Sequence, residues 1–247
     1  MTTALILIAL FAQLPTVPSD EVAGGHHWRI ETAQGAVHIW QPDNLDTARC
    51  GTVIYVHGYF SDVDEVWQQH GLAVQFAQSQ VQARFIVPEV PQNKRQPERW
   101  PRLAGLLDVV AAQLGALCEA GPRVAIGHSG GYRTIASWLD EELLADVVLL
   151  DALYGREPQY AAWIATTGQP HRLLLISDLT RRRSERFVTS QPQVLRRREI
   201  IPPATDAERT ARLVYFADRY GHLELVVDGV AIPTLLAWTA LEPGRTP

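Results

Sequence analysis

An α/β architecture, with a mostly parallel sheet covered by helices on both faces, is predicted by three features of the sequence. Aliphatic and β-branched runs at 52–56, 84–87, 123–126, 146–150 and 172–176 are too short and too uniformly apolar for amphipathic helices. Segments of helical spacing separate them, the pattern of strand, helix and strand joined by right-handed crossovers. Each run ends in Gly, Ser, Asp or His, and in such sheets ligands bind beyond the carboxyl ends of the strands.

Taken in order, residues 28–32 and 37–40 alternate apolar and polar side chains around Gln34-Gly35, predicting an N-terminal hairpin that Pro42 ends. The run at 52–56 is a central strand closed by His57-Gly58-Tyr59-Phe60. Ser61, Asp62 and Asp64 can cap the next helix, whose buried face is predicted to be Val63, Trp67, His70, Val74 and Ala77. After the strand at 84–87, a loop at 88–101 carries four prolines with Lys94, Arg95 and Trp100, and is stiff rather than floppy. Leu103, Leu106, Leu107, Val110, Leu114 and Leu117 form a long amphipathic helix that Gly121-Pro122 ends. A helix follows from Tyr132 to Leu144, then the strand at 146–150, a short helix near 158–166 and the strand at 172–176. The stretch 181–203 has a helical start and a candidate strand near 198–201; residues 212–217 are a strand or the continuation of a helix from Asp206. A helix over 223–241 closes the domain in spite of Pro233.

Composition bounds the function. With 247 residues, 47% of them hydrophobic, the chain can bury one large core, and no gap leaves room for a second domain. Residues 24–247 form a single domain in this reading, and 1–23 are a candidate signal peptide or N-terminal extension. The apolar run at 4–12 is too short to span a bilayer, has no preceding Lys or Arg, and is followed by no clean cleavage site. Export to the periplasm or medium and a cytoplasmic location both stay open, as does the oligomeric state. A formal net charge of -5 supplies no overall basic field for nucleic acid. The arginines at 181–183 and 196–198 are interspersed with Glu185, Glu199 and Asp206, as on a solvated face.

One turn stands out. Gly127-His128-Ser129-Gly130-Gly131 is G-x-S-x-G between a buried strand and a helix, the strand-turn-helix setting of a nucleophile elbow. A serine on such a sharp turn projects its hydroxyl clear of the backbone, while the new helix aims amides at arriving negative charge. An ordinary glycine-rich loop is the alternative. A serine hydroxyl needs a base, and of the eight histidines His222 alone follows the last predicted strand. Asp151 and Asp178 each end a strand and compete for the acid that orients the base, the other being a loop-capping carboxylate.

With His57-Gly58 after an early strand, the serine elbow, a late acid and a final histidine in the order Ser, Asp, His, the chain resembles the α/β-hydrolase fold proteins from about Trp28 to Leu241. The resemblance implies a sheet of roughly eight strands with the first one or two antiparallel, a minimal cap, an acyl-enzyme and no cofactor. It implies Ser129 as nucleophile, His222 as base, oxyanion donors at the Tyr59 and Gly130 amides, and supporting roles for His57 and His128. Most members place the acid two residues beyond Asp178, at Thr180 here; a minority place it as Asp151 stands, which favours Asp151. Phe60, Trp67, Trp100 and Tyr154 are candidate pocket walls, though Trp67 at helical spacing also suits the core. Cys50 and Cys118 fall at the amino ends of two strands that are neighbours in this fold, so a disulfide is geometrically feasible, with free thiols the alternative. No metal motif is present in the sequence. The leading function is hydrolysis of a small-molecule, lipid or polymer carboxylic ester in an open site; a serine peptidase or amidase uses the same triad, and a non-catalytic binding protein would keep only the fold.

Overall fold

The computed structural model describes residues 18–115, 118 and 120–244; the apolar run at 4–12 lies outside the described residues. One ten-stranded sheet runs in the order β1-β2-β3-β5-β4-β6-β7-β8-β10-β9. Strands β1 (Asp20–Glu21), β2 (Gly25–Thr32) and β3 (Gly35–Pro42) are antiparallel, and β3 lies antiparallel on β5 (Ala83–Pro88). From β5 onward the strands are parallel: β4 (Gly51–Val56), β6 (Arg123–His128), β7 (Asp146–Leu150), β8 (Arg172–Ile176), β10 (Leu213–Phe216) and β9 (Leu195–Arg197). The sheet is thus larger than the eight strands expected. Beyond those eight, β1 is unexpected and β9 stands close to the candidate strand near 198–201; they have two and three residues, too few to show an alternating period. β1 lies within the stretch read as an extension, and Trp40 Nε1 donates to Val22 O at 2.8 Å beside it.

Both faces are covered, as a parallel sheet requires. In β4, Val53 and Tyr55 join the core under α1 (Val63–Gln69), α2 (Leu72–Ser79) and α9 (Ala231–Leu236), whereas Ile54 and Val56 join the core under α3 (Leu103–Leu114), α4 (Tyr132–Trp138) and α5 (Glu157–Ala165). The remaining helices are α6 (Arg181–Thr189), α7 (Asp206–Thr210) and α8 (Glu224–Val227). No helix among the described residues is long and apolar enough to cross a membrane.

Several predicted helices are broken, each for a local reason. The helix predicted through Val63 and Ala77 becomes α1 and α2 because Gly71 turns the chain in the left-handed region, at φ 57°, and Val74 is exposed rather than buried. The helix after the elbow stops at Trp138 and gives way to a 3₁₀ turn, Leu139–Glu141, before Glu142 at φ 55° redirects the chain into β7. The C-terminal helix divides into α8 and α9 at Gly229, φ 76°; Pro233 falls in the first turn of α9, where its missing N–H has no intrahelical acceptor to lose. Residues 212–217 supply β10 and not a helix, and the edge strand lies at 195–197 instead of 198–201. There Arg196 lies over the Tyr215 ring.

The amino end of the sheet is tied covalently and ionically. Cys50 and Cys118 are disulfide-bonded, Cα to Cα 4.9 Å. Arg172 donates to both carboxylate oxygens of the fully buried Asp146, at 2.6 and 3.0 Å, and Asp146 also accepts from Ala240 N. A cross-link over a sequence separation of 68 removes enough unfolded-chain freedom to stabilise by about 4 kcal/mol in the chain-entropy model. We expect Cys118→Ser to lower the free energy of unfolding by about 2–4 kcal/mol, read from urea titrations in parallel with the oxidised wild type. Free alkylation of both thiols in the unreduced protein, seen by mass spectrometry, would contradict the pairing.

Candidate active site at the carboxyl ends of the strands

Ser129, Asp151 and Phe60 stand just beyond strands β6, β7 and β4, and all three adopt left-handed backbone conformations, with φ of 49°, 44° and 74°. Non-glycine residues avoid this region, so three such positions around one opening mark a locally strained site. At the elbow the glycines are needed for space. A Cβ on Gly131 would sit 2.4 Å from Val56 O, one on Gly127 2.7 Å from Ile135 Cδ1, and one on Gly58 2.8 Å from Ser129 Cβ. The Tyr59 ring lies against Gly130, where a Cβ would approach it to 2.6 Å.

His222 Nδ1–H donates to Asp151 Oδ2 at 2.6 Å. Asp151 is fully buried and also accepts from the amides of Asp178 (2.9 Å), Leu179 (3.0 Å) and Thr180 (2.8 Å) and from Thr180 Oγ1 (2.6 Å). Burial alone would push the carboxyl up, but the hydrogen bonds from His222, Thr180 and Asp178 outweigh it and hold the group well below the usual carboxylate range. Asp178 meets His222 differently: its Oδ2 accepts from the His222 backbone N–H at 3.0 Å. The imidazole therefore belongs to Asp151, while Asp178 holds the loop that carries it.

Two further imidazoles buttress the turns. His128 Nε2–H donates to His222 O at 3.1 Å with the rings 4.6 Å apart. His57 Nδ1–H donates to Gly58 O at 2.8 Å. Burial pushes His57 down to about 4 and His128 down to about 3, the latter helped by the neighbouring His222 and His70, so both stay neutral near pH 7. The Phe60 amide donates to Gln92 O at 2.9 Å, whereas the Tyr59 amide has no protein acceptor among the described residues. The Gly130 amide lies in the 3₁₀ turn Ser129–Gly131, at a helix start where amides lack intrahelical acceptors.

These groups open on a cleft of about 640 Å³ whose lining includes Tyr59, Phe60, Ser129, Tyr154, Leu179 and His222. Two expected wall residues are not there. Trp67 is buried between α1 and the hairpin, its ring stacked on His27 and His38 at 4.5 and 4.9 Å. Trp100 is buried with Nε1 donating to Glu89 O, while its own carbonyl accepts from Trp138 Nε1. Helical spacing for Trp67 and an indole N–H needing an acceptor for Trp100 both favour the core. Val66, His70, Lys94, Tyr132 and Leu223 complete walls that the sequence did not single out. Thr180, which the resemblance marked only as an acid's usual place, supplies two hydrogen bonds to Asp151. Among the described residues no group of three His, Cys, Asp or Glu side chains is placed to hold a metal.

In comparison with solved structures the chain is similar to an S-formylglutathione hydrolase from Agrobacterium tumefaciens, at 10% identity and a TM-score of 0.58, covering 91% of this chain and 98% of that one. It has the α/β-hydrolase fold. Similar too are the feruloyl esterase module from Clostridium thermocellum (12% identity, TM-score 0.59, coverage 91% and 92%) and a CIB-like hydrolase from Thermoplasma acidophilum (13%, 0.51, 86% and 96%). No family model matches the sequence, and no curated protein matches it.

The buried histidines give this α/β-hydrolase fold an acid-side weakness. His38, His57 and His128 titrate at about 4, 4 and 3 in the folded protein, each lowered first by burial, against 6.5 in the free side chain. Between those values the unfolded chain binds protons that the folded chain refuses, so stability falls as pH drops from about 6.5 towards 4. We expect Tm to decline steadily between pH 7 and 4.5, with up to about three protons taken up on unfolding from these groups. A flat Tm across that interval in calorimetry would count against neutral imidazoles at these positions.

Proposed function

We propose that the chain is a serine hydrolase that cleaves a carboxylic ester through an acyl-enzyme. The observation that carries this reading is the 2.6 Å contact from His222 Nδ1 to the buried, fully hydrogen-bonded Asp151, with His222 and Ser129 lining the same cleft. An Nδ1–H committed to a carboxylate leaves Nε2 unprotonated, the tautomer a general base requires.

In this mechanism His222 Nε2 takes the Ser129 proton as Oγ attacks the ester carbonyl. The negative charge that develops on the carbonyl oxygen is held by the Tyr59 and Gly130 amides, donors fixed before the reaction begins. The imidazolium, stabilised by Asp151, then gives its proton to the departing alcohol oxygen as the carbon–oxygen bond breaks. Water activated by the same Nε2 attacks the acyl-enzyme, and Ser129 regains its proton as the acid leaves. The ester reading is supported by the open cleft, since the chain between β7 and β8 carries only α5 and no helical cap, and by the likeness to an S-formylglutathione hydrolase and a feruloyl esterase module.

A fluorophosphonate probe should label the wild type and leave Ser129→Ala unlabelled; equal labelling of both would sink the proposal. Asp151→Asn should cost about four orders of magnitude in kcat, the loss measured for the orienting acid of a serine protease. Asp178→Asn, which removes a loop contact and leaves the imidazole pair, should cost about tenfold, in the range of one lost hydrogen bond. Near-full activity in Asp151→Asn would remove Asp151 from the triad. 4-Nitrophenyl esters turned over and peptide anilides untouched is the outcome expected of an esterase, and the reverse preference would identify an amidase.

A further inference from the structure

The cleft contains a cation that the mechanism does not use. Lys94 is the one lysine in a sequence with 22 lysines and arginines, and it lies on the cleft wall. No aspartate or glutamate lines the cleft with it, and no described carboxylate pairs with its ammonium. Carboxylates that flank the lining residues or share the loop of Lys94 have other partners: Glu98 has Arg133 and Thr134, Asp62 the Glu65 amide, Asp178 the His222 amide, Asp151 the His222 ring and Glu224 the Gly221 amide. The imidazoles of His70 and His128 on the same wall are kept neutral by burial.

The backbone that carries Lys94 is fixed. Arg133, on the helix that follows Ser129, donates from Nη1 to Lys94 O at 2.6 Å and from Nη2 to Gln96 O at 2.5 Å. The Gln96 amide donates to Asn93 O at 3.3 Å, the Arg95 amide to Asn93 Oδ1 at 2.9 Å, and the Gln92 amide to Gln96 Oε1 at 2.7 Å. A flexible lysine stem therefore starts from an anchored turn at the rim of an apolar cleft, and because Lys94 is exposed its charge reaches a bound ligand as a solvent-accessible, salt-screened ammonium.

Resting on the ester hydrolase reading, we propose that Lys94 is a specificity-determining residue of this cleft and that the substrate is an ester carrying a second, ionised acid group. The ammonium supplies the countercharge while Tyr59, Phe60, Tyr154 and Leu179 take the apolar portion.

The probes are mono-4-nitrophenyl esters of adipic and suberic acids against 4-nitrophenyl hexanoate and octanoate, pairs of equal chain length that differ in the terminal carboxylate. The quantity read is the ratio of kcat/KM, acid over neutral. Lys94→Met should lower it by about fivefold, the scale of one solvent-accessible ion pair. Lys94→Glu should lower it further, Lys94→Arg should preserve it, and added salt should reduce it in the wild type. Acetylating the wild type with an N-hydroxysuccinimide ester reaches this one side-chain amine and should reproduce Lys94→Met; the acetylated variant controls for the terminal amine. An unchanged ratio in Lys94→Met and after acetylation overturns the proposal, as does fluorophosphonate labelling of Ser129 without turnover of either acid ester. Absence of both labelling and turnover overturns the hydrolase reading instead.

Discussion

A single buried carboxylate joins three separate parts of this molecule. Asp151 follows β7, receives three consecutive amides and a hydroxyl from the turn after β8, and receives the imidazole of a loop after β10. An ionised carboxylate without partners would cost several kcal/mol in the interior. Each donor therefore needs the others, and losing the 178–180 turn would leave the charge underbound. Asp178 reinforces the arrangement from the opposite direction by accepting the His222 amide, so the turn that solvates Asp151 also fixes the loop that delivers the ring. The φ of 44° at Asp151 is the local backbone cost of aiming its carboxylate at both.

The two ends of the sheet divide the work. At the amino end, stability comes from covalent and charged ties, the Cys50–Cys118 bond and the Asp146–Arg172 pair, and left-handed residues occur there too, Cys118 at φ 45° and Glu142 at φ 55°. At the carboxyl end left-handed residues stand after β4, β6 and β7. Such conformations persist only where the surroundings over-determine them. The rigid opposite edge and a core on both faces supply that excess.

Which features were legible in the sequence follows from how local their causes are. The Ser129 elbow could be read because its pattern lies within five consecutive residues between an apolar strand and a helix, although Gly131 and Gly130 answer to Val56 and Tyr59 from outside that unit, and the parallel strands other than β9 because each is largely a continuous apolar run. Choosing between Asp151 and Asp178 depended on contacts across the sheet: both carboxylates follow strands and both touch His222, one at the ring and one at the amide, a difference invisible to spacing. The helices were overextended for a related reason. A lone Gly71 or Gly229 is compatible with a helix by pattern, and only tertiary packing puts it at positive φ. Trp67 suited both core and wall by spacing; its stacking on His27 and His38, contributed by the hairpin, decides for the core.

The stiff loop at 88–101 owes its effect to its partners more than to its prolines. Arg133, one turn past Ser129, is largely buried and grips the loop through two carbonyls and Glu98, while Thr134 donates to the same carboxylate. From Gln96 the connection passes to the Gln92 amide, and from Gln92 O to the Phe60 amide, next to the Tyr59 amide proposed to meet the oxyanion. The helix that follows Ser129, the proposed nucleophile, is thereby tied to the turn that carries the proposed opposing donor. Geometry of this kind matters at the scale of about 1 Å, because donors stabilise a developing charge only when held where it will form. Tyr59 closes the loop of contacts: its ring rests on Gly130 and beneath the Arg133 guanidinium, so the residues that carry the two proposed oxyanion amides pack directly against each other.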